Sequence, residues 1–139
     1  MRSAFVLESP AVSIPWGLEE PGFRQLLEAH AQRVTSGHYR GRCTLLGGFE
    51  HQLDFHFKPR VSGRFFQVEI HRVPARRRKR NFDELQARLE AALGPGRKSA
   101  PGPDDVTPCE WRLGKLTVSH DYYYQFGLHE RGLFTCTAV

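Results

Sequence analysis

Two runs of strict alternation in the middle of the chain restrict its fold more than any other feature. In "HQLDFHFK", Leu53, Phe55 and Phe57 point one way while Gln52, Asp54, His56 and Lys58 point the other. In "FFQVEIHR", Phe66, Val68 and Ile70 alternate with Phe65, Gln67 and Glu69. Period two with one apolar row is the pattern of a strand buried on a single side. The intervening "KPRVSGR" contains Gly63, so the two runs predict an antiparallel hairpin with one wet face. The residues around Cys43, Thr44, Leu45 and Leu46 predict a third strand beside it.

On either side the period lengthens. Phe23, Leu26, Leu27, His30 and Val34 fall at i, i+3, i+4, i+7 and i+11, which predicts a helix over Pro21–Val34, with Gly37 just beyond its end. Phe82, Leu85, Leu89 and Leu93 form the stripe of a second helix over Phe82–Leu93. Asn81 suits its N-cap, Glu84 closes a capping box, and Gly94-Pro95 stop it. Residues 95–108 hold four prolines and two glycines with little to bury, and predict a mobile surface loop. "CEWRLGKLTVSH" predicts a tight hairpin on Gly114-Lys115, and "LFTCTAV" a last strand. Phe5–Trp16 reads as an edge strand or ordered arm. The expected architecture is a single α+β domain over residues 1–139. It has an antiparallel sheet of five to seven strands, with two helices packed on one face.

Composition adds where the charge lies. The chain carries 20 Lys and Arg against 15 Asp and Glu, a net of +5. Six of those cations, Arg72, Arg76, Arg77, Arg78, Lys79 and Arg80, fall within nine residues that contain no acid. Without them 14 cations face 15 acids, so the excess charge belongs to one segment. Such a cluster is a candidate surface for phosphates or carboxylates. No N-terminal export pattern and no apolar run of about 18–20 residues is present. Cys43, Cys109 and Cys136 are odd in number and far apart, which argues for a reducing compartment. The expected location is cytoplasmic, with no membrane partner.

Chemistry-bearing residues are scattered. If Gly114-Lys115 is the turn, Cys109 faces His120 across the hairpin, on the same side as Trp111 and Val118. A thiol opposite an imidazole can be a nucleophile pair, but a row that carries Trp and Leu is a core row, so a buried structural pair is expected. Asp54, His56 and Glu69 fall on the wet face of the central hairpin, as a solvated face or an acid/base or metal site. No zinc-type spacing, phosphate loop or dinucleotide fingerprint occurs, and no cofactor is expected. "DYYYQFG" groups Tyr122, Tyr123 and Tyr124, at least one of which alternation leaves exposed, as at protein interfaces or base-stacking surfaces.

The C-terminal part, with helix "FDELQARLEAALGP", a variable loop and "WRLGKLTVSHDYYYQFGLHERGLFTC", resembles small α+β immunity proteins of bacterial polymorphic toxin systems. The resemblance implies binding to, and inhibition of, a cognate toxin. The basic run departs from the acidic character common among nuclease inhibitors and asks for a partner with an acidic or mixed surface, and with no convincing catalytic set no catalysis is expected. The leading expectation is thus a protein-binding inhibitor or adaptor that uses Arg72, Arg76, Arg77, Arg78, Lys79, Arg80, Tyr122, Tyr123 and Tyr124. The alternative is a small nucleic-acid-associated protein that sets Arg72–Arg80 against phosphates.

Overall fold

The computed structural model describes residues 3–58, 63–72, 78–102, 105–124 and 126–139. Ten strands and two helices follow in the order β1 (Ala4–Leu7), β2 (Val12–Pro15), α1 (Glu20–Leu27), β3 (Ala31–Thr35), β4 (His38–Leu45), β5 (Phe49–Phe57), β6 (Phe65–Arg72), α2 (Arg78–Leu93), β7 (Arg97–Lys98), β8 (Cys109–Leu113), β9 (Leu116–Tyr124) and β10 (Leu128–Cys136). It is a single α+β domain with antiparallel sheets, but in place of the expected five to seven strands the described residues form ten, in two sheets. Eight form one sheet in the order β3-β4-β5-β6-β10-β9-β8-β7, and β1 and β2 pair separately. The last strand, β10, enters the middle between β6 and β9. Among the described residues no helix is long and apolar enough to cross a membrane.

One face of the large sheet is apolar and covered. Alternation sends Tyr39, Cys43 and Leu45 of β4, Leu53, Phe55 and Phe57 of β5, Val68 and Ile70 of β6, Phe134 of β10, Val118 of β9 and Trp111 of β8 into the core. On this row lie α1, through Phe23 and Leu27, and α2, through Phe82, Leu85 and Leu89. The β1–β2 hairpin closes the same side. Phe5 meets Phe134 edge-on at 5.2 Å, and Trp16 stacks on Phe65 at 4.9 Å. Phe23 contacts the rings of Tyr39, Phe55, Phe57 and Phe65, an aromatic cluster buried between α1 and the sheet.

Three sequence expectations need correction. The first helix ends at Leu27, and Ala31–Thr35 is a strand. Its last supposed face residue, Val34, is 45% exposed, and Leu26 is 40% exposed. The β-branched pair Val34-Thr35 and the positive φ of Gly37 favour a β3–β4 hairpin over helix. The second helix begins at Arg78, before the expected N-cap Asn81, and takes the end of the basic run into its first turn, where Lys79 pairs with Asp83. In β6 a register irregularity at His56/Phe57 puts Phe65 into the core in place of Phe66. Within residues 95–108, Arg97–Lys98 form the edge strand β7, which pairs with β8, and Val106 is buried. The two-residue hairpin on Gly114-Lys115 holds as expected, with Cys109 opposite His120.

Gly41 lets the end of α1 close onto the sheet. A Cβ there would lie 2.3 Å from the His30 carbonyl oxygen, a backbone atom that cannot swing aside. Gly41→Ala is therefore expected to lower stability by about 1–3 kcal/mol, seen as a lower urea midpoint at unchanged m. An unchanged midpoint would show that the α1–β3 connection sits farther from β4.

Candidate functional site

The residues that can meet a partner gather where β6 ends and β9 turns into β10. Arg72, the last residue of β6, is opposite Glu130, which is opposite Tyr122. The β9–β10 tip lies just beyond this row. It holds Phe126 and Gly127 at positive φ and projects two aromatic rings: Tyr124 is 82% exposed and Phe126 is fully exposed. The segment that carries the basic run leaves β6 one residue past the same row and re-enters the described structure at Arg78. The end of β6 and the first turn of α2 thus bring Arg72, Lys79 and Arg80 to the end of the sheet that carries the aromatic tip.

The expected contact residues separate into classes. Lys79 and Arg80 are exposed on the first turn of α2, with Lys79 paired to Asp83 at 2.8 Å, and Arg78 opens that helix. Arg76 and Arg77 lie outside the described residues. Arg72 is only 14% exposed and turns inward. Tyr124 is free of the sheet surface. Tyr122 packs on the inner side, edge-on to Phe82 at 5.1 Å. Tyr123 lies on the outer face, stacked with His129 at 5.3 Å and under the Arg131 guanidinium at 5.0 Å. Phe126 was not singled out from the sequence. Its signal was the "FG" pair after a strand of three tyrosines, where a turn forces its residues outward.

Beneath this end is a buried polar network. Glu130 Oε1 accepts hydrogen bonds from Arg72 Nη2 at 2.6 Å and from His120 Nε2 at 2.9 Å. Arg72 also donates to the Asn81 carbonyl at 2.7 Å, tying β6 to the first turns of α2. The Gln86 side-chain amide lies 2.8 Å from His120 Nδ1, and Phe82 stacks on the imidazole at 3.7 Å. Burial opposes the charge on Glu130, but the His120 and Arg72 hydrogen bonds outweigh it and leave its pKa below the ordinary value. Burial pushes the His120 pKa down, against the hydrogen bond to Glu130 that raises it. Cys109 is buried beside it. The sequence hid this cluster because its members come from β6, α2, β9 and β10, up to 58 residues apart.

The outer face of the sheet brings together Asp54, His56 and Glu69, with Asp54 directly opposite Glu69. Asp54 accepts from Arg40 at 2.7 and 3.2 Å and lies 2.8 Å from His38 Nε2. Burial raises its pKa, but these partners more than reverse the effect and hold it low. His56 stacks on His38 at 4.7 Å and approaches Glu69 to 3.6 Å, and it is the largest influence lowering the Glu69 pKa. Farther along, His71 Nε2 is 2.9 Å from His129 Nδ1, and Arg131 forks onto Asp121. Both carboxylates of the expected trio thus sit against cationic or imidazole partners. Among the described residues no three His, Cys, Asp or Glu side chains are grouped to hold a metal ion.

The glycines that show no phosphate fingerprint nonetheless bind an anion within the chain. Leu46, Gly47 and Gly48 all have positive φ, and the N–H groups of Gly47 and Gly48 donate to the Glu8 carboxylate at 2.6 and 2.7 Å. These bonds lower the Glu8 pKa and fasten the β1–β2 hairpin to the β4–β5 turn. Comparison with protein-family models, with curated proteins and with solved structures gives no match.

Proposed function

We propose that this chain is a cytoplasmic, non-enzymatic protein-binding domain, an immunity-type inhibitor or adaptor of another bacterial protein. The observation that carries the proposal is the β9–β10 tip. Tyr124 and Phe126 stand in water beside the exit of the basic run. Exposed aromatic rings at a turn are costly to leave solvated and are the residue type that anchors interfaces. Cations around them favour a partner with an acidic or mixed surface, by steering encounter and fixing register. In this reading Tyr124 and Phe126 are the anchors. Arg76, Arg77, Arg78, Lys79 and Arg80 form the charged rim, and Arg72 positions the segment from inside.

One observation favours the nucleic-acid alternative: aromatic rings and arginines share one end of the sheet, as in modules that stack bases while holding phosphates. Titration of a labelled twenty-nucleotide single strand and duplex between about 50 and 200 mM salt separates the two. The protein-binding reading predicts weak association that does not saturate at micromolar protein. Submicromolar duplex binding with a log–log salt slope of about −4 to −5, the value for five phosphate contacts, would instead support the nucleic-acid alternative.

A further inference from the structure

The two edges of the large sheet differ. β7, at one edge, has two residues, whereas β3, at the other, has five and pairs only with β4. Among the described residues the outward row of β3 N–H and C=O groups therefore has no strand partner, which makes it a template for an added strand. Both sides of this edge are hollow. A cleft of about 260 Å³ opens on the inner side, where Arg24 and Glu28 of the α1 end meet Ala31 and Arg33. A second hollow of about 380 Å³ opens on the outer side, around Gln32, Val34 and Arg42. An added strand sends alternate side chains to opposite faces, so its residues would enter the two hollows in turn.

Charge selects the occupant. Arg24 and Arg33 are exposed at the inner cleft and, among the described residues, neither makes an ion pair, while Arg40 and Arg42 on the outer side are held by Asp54 and Glu50. Glu28 is the acid lining the inner cleft, and Glu20 accepts a hydrogen bond from Tyr39. A second copy of the chain fits poorly, because antiparallel pairing of two β3 strands about their centres would set Arg33 against Arg33. On the outer side Val34, 45% exposed, offers an apolar contact.

We propose that the open edge of β3 receives an extended acidic segment of another protein as a ninth strand. A carboxylate side chain of that segment faces Arg24 and Arg33, and an apolar residue on its opposite face covers Val34. This surface lies across β4, β5 and β6 from β10, and it does not depend on the aromatic tip. The test is selection of random nonapeptides from a phage-displayed library on the immobilised full chain. The enriched peptides are then measured as capped synthetic peptides, by fluorescence anisotropy, against the wild type, Arg24→Glu/Arg33→Glu and Tyr124→Ser/Phe126→Ser. Arg24 and Arg33 are exposed, so the charge reversal should keep the wild-type urea midpoint, and Arg33→Gln serves as the milder variant. The expected result is enrichment of sequences alternating acidic with apolar residues. Their affinity should fall about tenfold or more with Arg24→Glu/Arg33→Glu and with N-methylation of alternate peptide amides, and stay unchanged with Tyr124→Ser/Phe126→Ser. No enrichment above background would overturn the proposal, as would affinity indifferent to the arginines and to N-methylation. Binding lost only with Tyr124→Ser/Phe126→Ser would also overturn it, while leaving the aromatic tip as the docking surface.

Discussion

Replacing Glu130 with alanine is expected to cost about 3–5 kcal/mol, because it removes the one anion between Arg72 and His120 inside the core. Arg72 would keep its charge with little access to water, and among the described residues its Nε has no hydrogen-bond partner. For a domain whose total stability is on the order of 5–15 kcal/mol, this approaches global unfolding. Glu130→Gln keeps the shape and should fall between alanine and wild type, while Arg72→Met/Glu130→Met should cost much less than the sum of the single changes. The pH dependence follows from the lowered pKa of Glu130. A carboxylate held below its unfolded value stabilises the fold above that unfolded value, and the contribution is lost as pH falls through the folded one. Urea unfolding of the wild type from neutral to acid pH should therefore show a loss that begins below about pH 4.5 and is shallower in Glu130→Gln. Equal acid sensitivity in both proteins would place the titrating groups elsewhere.

Trp111→Ala should have an effect of similar size, about 3–5 kcal/mol in denaturant unfolding. The indole fills the core row of β8 and its Nε1 donates to the Gly94 carbonyl at 2.8 Å, satisfying a carbonyl at the end of α2. The fit is close. A Cβ on Gly96 would come within 2.6 Å of the indole and 2.5 Å of Cys109 Sγ, so the chain leaves α2 pressed onto this ring. Removing the ring opens a cavity and frees the helix end together. Trp111→Phe keeps most of the volume and should show mainly the lost hydrogen bond, about 1 kcal/mol, plus a packing defect. A near-neutral Trp111→Ala would mean that the β7 segment and α2 collapse into the space.

Local pairing was legible in the sequence; long-range assembly was not. The β5 and β6 rows and the Gly114-Lys115 hairpin depend on period two and on a turn glycine, and both are local signals. The failure at Ala31–Thr35 has a clear cause. His30 and Val34 happen to continue the helical spacing of Phe23, Leu26 and Leu27, and only the tertiary pairing with β4 decides for strand. Insertion of β10 between β6 and β9 is a non-local choice, and with it went the Arg72–Glu130–His120 network and the His71–His129 contact. One clue was available. Arg72 continues the inward row of Val68 and Ile70, and Glu130 precedes the inward Gly132 and Phe134, so each charge lies on a core row where it needs a partner. Alternation left at least one of the three tyrosines exposed; that residue is Tyr124, and Phe126 beside it is exposed as well.

The central claim, that the chain works by holding another protein at its aromatic tip, meets its most direct test in parallel affinity capture from native-host lysate. Wild type and Tyr124→Ser/Phe126→Ser are immobilised at equal amounts, with nuclease-treated and untreated lysate, and bound protein and nucleic acid are quantified. Both residues are exposed, so the variant should keep the wild-type fold within about 0.5 kcal/mol. The account predicts a stoichiometric protein partner on the wild type that survives nuclease and is lost from the variant. The same proteins on both baits, or nucleic acid alone released by salt, would contradict it.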